Sequence, residues 1–118
     1  MKRIGIIGGL GPEATILYYK DLVDNYKKKS GGPEPEIIIY SISLKEFKEY
    51  MDNNDLSSAV KLLLKATDSL TRAGADLVSI SANTPHIVFD EVSRNVRVPM
   101  ISIVEETAKS ADKKSKNR

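Results

Sequence analysis

Four short apolar runs recur along this chain, and stretches with helical spacing lie between them. No other feature limits the fold as much. Arg3 to Ile7 is an apolar run that stops at glycines, the mark of a strand buried on both faces of a parallel sheet. Glu36 to Ile42 is a second such run. Its Ile37-Ile38-Ile39 triplet is too apolar to face water and is expected inside the sheet. Asp76 to Ser81 is a third, and Pro99 opens a fourth that continues through Val104.

The intervening stretches carry helix signals. Pro12 suits a first helical position, and Ala14, Tyr18, Leu22, Val23 and Tyr26 recur at helical spacing. Lys27, Lys28 and Lys29 close that helix, where cations complement the dipole, and Ser30-Gly31-Gly32-Pro33 breaks the chain. Leu44 to Met51 reads as a short helix or an irregular crossover. Asn53-Asn54-Asp55 is a turn with an N-cap. Ala59, Val60, Leu63, Leu64, Thr67 and Leu70 form the clearest apolar stripe, with Gly74 as its C-cap. Ile87 to Asn95 predicts a short helix and Glu105 to Lys113 a final one. Alternating strands and helices give an α/β fold, a doubly wound four-stranded parallel sheet flanked by helices.

Composition narrows the function classes. With 41% hydrophobic and 29% charged residues, this is an ordinary globular composition. The net charge is +2, yet Lys109 to Arg118 alone carry +4, which leaves −2 on the rest. Basicity is therefore a property of the tail, and a nucleic-acid face is not expected. Residues 1–109 read as one α/β domain and residues 110–118 as a basic, frayed tail. There is no cysteine, so no disulfide and no thiol chemistry. Glycines break the N-terminal apolar run, no signal peptide is evident, and no run reaches the ~20 residues of a membrane span. These readings point to a cytoplasmic protein that engages no membrane.

In a doubly wound sheet, ligands gather beyond the carboxyl ends of the strands. Three segments fall on that edge: Gly8–Pro12, Ser41–Lys48 and Ala82–His86. Gly9-Leu10-Gly11-Pro12-Glu13-Ala14 fits G-x-G-x-x-A, a dinucleotide fingerprint in form. The acidic residue such a site needs at the end of the second strand is missing, because that strand ends Tyr40-Ser41-Ile42-Ser43. Pro12 also removes a backbone donor. The glycines equally serve a tight strand-to-helix turn. Asn83 and Thr84 could hold a small polar ligand, and equally could form a turn. His86, the lone histidine, could be a general acid or base or a helix cap. One histidine makes no metal cluster. Lys45 and Lys48 could reach an anion or simply lie on a solvated helix face. Ser79, Ser81 and Ser102 sit in no Gly-x-Ser-x-Gly elbow.

Four segments together resemble the aspartate/glutamate racemase family. They are Ile4-Gly5-Ile6-Ile7-Gly8-Gly9-Leu10-Gly11-Pro12-Glu13-Ala14-Thr15, Arg72-Ala73-Gly74-Ala75-Asp76, Ser81-Ala82-Asn83-Thr84-Pro85-His86, and the run from Val98 to Thr107. The resemblance extends to about Lys109. It implies cofactor-independent 1,1-proton transfer at the α-carbon of aspartate or glutamate. In the family, two cysteines, one from each of two similar α/β halves, face each other across the substrate.

Carried over, the resemblance puts Gly9, Leu10 and Gly11 along the substrate loop. Asn83 and Thr84 would hold the substrate's carboxylate or amino group, and Lys48 a side-chain carboxylate; His86 comes with the motif but without a role. Ala82 stands where the family has its first cysteine, and a methyl group carries no transferable proton. One positioned acid–base group is worth roughly 10²–10⁴-fold, so the chain alone is expected to be inactive. The half with the second cysteine is also absent from this sequence. An engineered inactive fragment, a natural split or degraded homologue, and half of an active assembly all accord with this. A homodimer or a complex with a partner half-chain is expected, because helices shaped to meet another half leave an apolar face open. The rival readings are a non-catalytic small-molecule-binding or assembly domain and, further off, a dinucleotide-binding domain.

Overall fold

The computed structural model describes residues 3–102. In chain order it contains β1 (Arg3–Gly8), α1 (Pro12–Ser30), β2 (Glu36–Ser41), α2 (Leu44–Asp52), α3 (Leu56–Arg72), β3 (Leu77–Ile80), α4 (His86–Arg94) and β4 (Met100–Ser102). All strand pairings are parallel, in the order β2-β1-β3-β4. β1 is the spine, pairing Ile6 with Ile39 on one side and with Ser79 on the other. The expected helix at Glu105–Lys113, the last two residues of the expected fourth strand and the tail at 110–118 lie outside the described residues.

Helices cover both faces, but unequally. A Cβ on Gly5 would meet Leu70 of α3 and Ala75, whereas a Cβ on Gly8 would meet Thr15 of α1. Positions 5 and 8 point to opposite faces of a strand, so α1 and α3 sandwich the sheet. α2 and α4 pack against α3 on its side. The main core therefore lies under α3, where Ile7, Leu63, Leu70, Val78 and Val88 are almost wholly buried. Each such side chain contributes roughly 1.5–3 kcal/mol by leaving water. On the other face α1 is the one helix among the described residues.

That asymmetry corrects two expectations. β2 is an edge strand rather than an interior one, and Ile39 is 44% exposed. Ile38 packs against the core under α3, while Ile39 points to the thinly covered face. In α1, Ala14 is exposed and Thr15 is buried in its place; Tyr18, Leu22, Val23 and Tyr26 are half-buried. Ile16, Leu17 and Tyr19 are exposed, so apolar residues surround the helix and their spacing alone does not fix its buried side.

Local signals set the helix ends. Gly31 closes α1 at φ 63° and its N–H reaches the Lys27 carbonyl at 2.9 Å. α2 is a regular helix, not an irregular crossover: the Ser43 hydroxyl accepts the Glu46 N–H at 3.1 Å and Phe47 is buried. The Asp55 carboxylate caps α3 by accepting the Ser58 N–H at 3.2 Å. Gly74 follows the cap residue Ala73 at φ 106° rather than being the cap itself.

Candidate functional site

The chain runs one way across the sheet from β1 to β2 and the other way from β3 to β4. The switch in direction therefore falls between β1 and β3. Loops leaving these two strands diverge there and open a crevice. They are the glycine loop, residues 9–11, and the segment 81–85.

Backbone bonds tie the starts of these loops together. The Ser81 N–H donates to the Ile7 carbonyl at 3.1 Å, and the Ile42 N–H donates to the Gly8 carbonyl at 2.9 Å. Gly9 has φ 87°, and a Cβ there would lie 2.3 Å from the Ile42 carbonyl oxygen. Only glycine lets the loop lie flat against Ser41 and Ile42. Leu10 is buried and pins the loop from below.

A hydroxyl cluster sits beneath the crevice on the α1 face. The Gly9 N–H donates to Thr15 Oγ1 at 3.0 Å. Thr15 Oγ1 and Ser81 Oγ are 3.0 Å apart across 66 residues of sequence. Thr15 Oγ1 also lies 3.3 Å from the Gly11 carbonyl oxygen, and Ser81 Oγ lies 3.3 Å from the Ile7 carbonyl oxygen. One turn further along α1, the Tyr18 hydroxyl bonds Ser79 Oγ at 2.5 Å. Buried hydroxyls need partners, and among the described residues no buried side-chain polar atom lacks one. Sequence reasoning missed Thr15 and the part played by Ser81. The available signal was a Thr one turn into a helix that follows a strand ending in two glycines.

The residues singled out from sequence fall as follows. Gly9, Leu10 and Gly11 share the crevice edge with Ala82, Asn83 and Thr84. Ala82 is half-buried against the core, Asn83 is exposed, and Thr84 Oγ1 turns back to the Ala82 carbonyl at 3.4 Å. His86 is the first residue of α4 and is exposed. Pro85 holds the cap position with no side-chain bond, so the capping reading of His86 is not what the structure shows. Lys45 and Lys48 are exposed on α2 rather than in a loop. Among the described residues, no hydrogen bond or ion pair links Lys48 to the crevice. Nor do three His, Asp or Glu side chains converge there as metal ligands would.

Two grooves lie elsewhere. One of about 480 Å³ runs between α3 and α4, with Leu56, Val60, Leu64 and Ile87 in its walls. Another of about 380 Å³ lies over α2 and α3 beside Tyr40, Tyr50, Lys61 and Lys65. There the Glu46 carboxylate accepts the Tyr50 hydroxyl at 3.2 Å and holds that phenol above its ordinary pKa. Neither groove is lined by residues 9–11 or 82–84. The crevice is the better candidate, because the loops leaving β1 and β3 part there at the switch in strand order and are tied through Gly9, Thr15 and Ser81.

A model of the Asp/Glu/hydantoin racemases matches residues 7–118. The chain belongs to this racemase family. It is 29% identical over 111 residues to the broad specificity amino-acid racemase RacX of Bacillus subtilis (strain 168), covering 90% of this chain and 48% of RacX. A Yersinia pestis protein assigned to the Asp/Glu racemases superposes with TM-score 0.86 at 33% identity, over 98% of this chain and 50% of that one. An aspartate racemase homologue from Pyrococcus horikoshii OT3 is 44% identical with TM-score 0.79, over 97% of this chain and 50% of that one. The racemase-family chain thus spans about half the length of the relatives it matches. Among its described residues, no helix is long and apolar enough to cross a membrane.

Proposed function

We propose that this domain forms one half of an amino-acid racemase site, one that holds an acidic amino acid but lacks its own proton carrier. The observation that carries the reading is the meeting of residues 9–11 and 82–84 at the β1/β3 switch, fixed by the Thr15–Gly9–Ser81 hydroxyl cluster. In this reading Asn83, exposed at the crevice edge, and Thr84, whose hydroxyl would have to leave the Ala82 carbonyl, hold a small carboxylate. Ala82 occupies the family's acid–base position and contributes only a methyl group. The reaction proposed for the complete site is cofactor-independent proton exchange at the α-carbon, in the cytoplasm.

A dinucleotide fits less well. Pro12 offers no N–H, and Gly9 spends its own on Thr15. Few donors then remain to cradle a pyrophosphate.

The reading also needs a second acid–base group. We place it on another α/β half, in a longer chain or a separate one, since a second copy of this domain brings the same alanine. Exposed Ile16, Leu17, Tyr19 and Ile39 on the α1 side, with Leu44 and Ile87, supply apolar surface for such an association.

The test is proton NMR of L- and D-aspartate in D2O with the wild-type chain and Ala82→Cys. A parallel amide NMR titration in H2O should show shifts at residues 9–11 and 82–84 in both proteins. Loss of the α-proton should stay at background for the wild type. In Ala82→Cys it should rise by about 10²-fold or more. Rapid racemisation by the unaided wild type would overturn the assignment of Ala82. Absence of shifts at those loops would overturn the site.

A further inference from the structure

Thr15 holds one proton on its hydroxyl, and so does Ser81, while the Gly9 N–H and the Gly11 and Ile7 carbonyls surround the pair. Two proton arrangements keep the bond between the two hydroxyls. In the first, Thr15 donates to Ser81 and Ser81 donates to the Ile7 carbonyl. In the second, Ser81 donates to Thr15 and Thr15 donates to the Gly11 carbonyl. Both leave Thr15 Oγ1 as acceptor for the Gly9 N–H at 3.0 Å. The carbonyls are served in either case, because the Thr15 N–H reaches Gly11 at 3.2 Å and the Ser81 N–H reaches Ile7 at 3.1 Å. One side chain on α1 thus fixes the loop after β1 and, through Ser81, the start of the loop after β3.

We infer that Thr15 is a positioning residue for the crevice. It sets the separation between the glycine loop and Ala82-Asn83-Thr84 without touching the ligand. Gly8 makes this possible, since any Cβ there would lie 2.6 Å from Thr15 Cγ2. The helix can settle this close only over a bare backbone. The assignment rests on the racemase-type reading for its ligand, and on the bonds alone for its geometry.

The test combines amide hydrogen exchange by NMR with an aspartate titration. It uses Thr15→Val, which keeps the shape but loses the hydroxyl, Thr15→Ser, which keeps the hydroxyl, and Ser81→Ala. In Thr15→Val, Gly9 exchange should quicken by about tenfold relative to the β1 amides, the size of one lost neutral hydrogen bond. Aspartate affinity should fall in the same variant, and Thr15→Ser should restore both. Ser81→Ala should keep Gly9 protected while weakening aspartate binding, and it serves if Thr15→Val does not fold. Equal exchange at Gly9 and its β1 neighbours in Thr15→Val would overturn the inference. So would a Thr15→Ser protein that behaves like Thr15→Val, or wild-type affinity in Ser81→Ala. If the wild type binds no aspartate, the functional reading fails, and the exchange contrast at Gly9 decides the role of Thr15.

Discussion

Placing a methyl group on Gly8 tests how closely α1 is seated on the sheet. Gly8 is not among the glycines at positive φ, so Gly8→Ala brings no backbone strain. Its effect is steric. The new Cβ would lie 2.6 Å from Thr15 Cγ2, 3.1 Å from Thr15 Oγ1 and 3.3 Å from Ile39 Cγ2. Comfortable carbon contacts are about 3.5–4.0 Å, so the Thr15 methyl is overlapped by about 1 Å. Overpacking of this kind costs roughly 1–3 kcal/mol. The stiffer unfolded chain returns about 0.4–1 kcal/mol, which leaves a net loss of roughly 1–2 kcal/mol. At about 4–8 °C per kcal/mol for a domain of this size, Tm should fall by roughly 5–15 °C. Thr15→Ser removes the offending methyl and keeps the hydroxyl, so the two changes should couple. In a double-mutant cycle by urea and thermal denaturation, the pair should be more stable than the summed single effects by about 1 kcal/mol. Additivity within about 0.5 kcal/mol would show that α1 does not rest on Gly8 through Thr15.

Two further outcomes can be checked by denaturation. Gly9→Ala should cost well over 2 kcal/mol, since left-handed strain of about 1–2 kcal/mol adds to a Cβ placed 2.3 Å from a backbone oxygen. Gly31→Ala should cost only the strain, about 1–2 kcal/mol, because nothing lies within 4 Å of its Cβ position; equal losses at the two sites would refute the close approach at Gly9. Bonds from Ser58 hold the Asp55 carboxyl below the ordinary pKa of an aspartate. Its stabilising effect is therefore complete above that value and fades as the pH falls through the lower folded-state pKa. Asp55→Asn, which still caps, should flatten that acid limb, and an unchanged acid limb would count against the cap.

Much of the fold was legible because its signals are local. Apolar runs bounded by glycine or proline marked every strand, and Asp55 before a clear stripe marked a helix start. The crevice was legible for a topological reason: glycines after one strand and Asn83-Thr84 after another must share the carboxyl edge of a parallel sheet. What stayed hidden depends on partners remote in sequence. The isoleucine triplet announces burial but not which strands adjoin it, so the edge position of β2 could not be read. In α1 a ring of apolar residues disguised the buried side, and a threonine looked like surface. Its partner Ser81 is 66 residues away, beyond any local pattern.

The spine of the sheet is also its earliest strand in chain order. β1 meets β2 across about 33 residues, as in the Arg3–Glu36 bond, and meets β3 across 73, as where the Arg3 N–H donates to Asp76. During vectorial synthesis its apolar backbone must therefore wait through α1, α2 and α3 for its second neighbour to emerge. Such long-range closure slows folding. A nascent chain released before residue 80 would display one flank of β1 as a naked, aggregation-ready template.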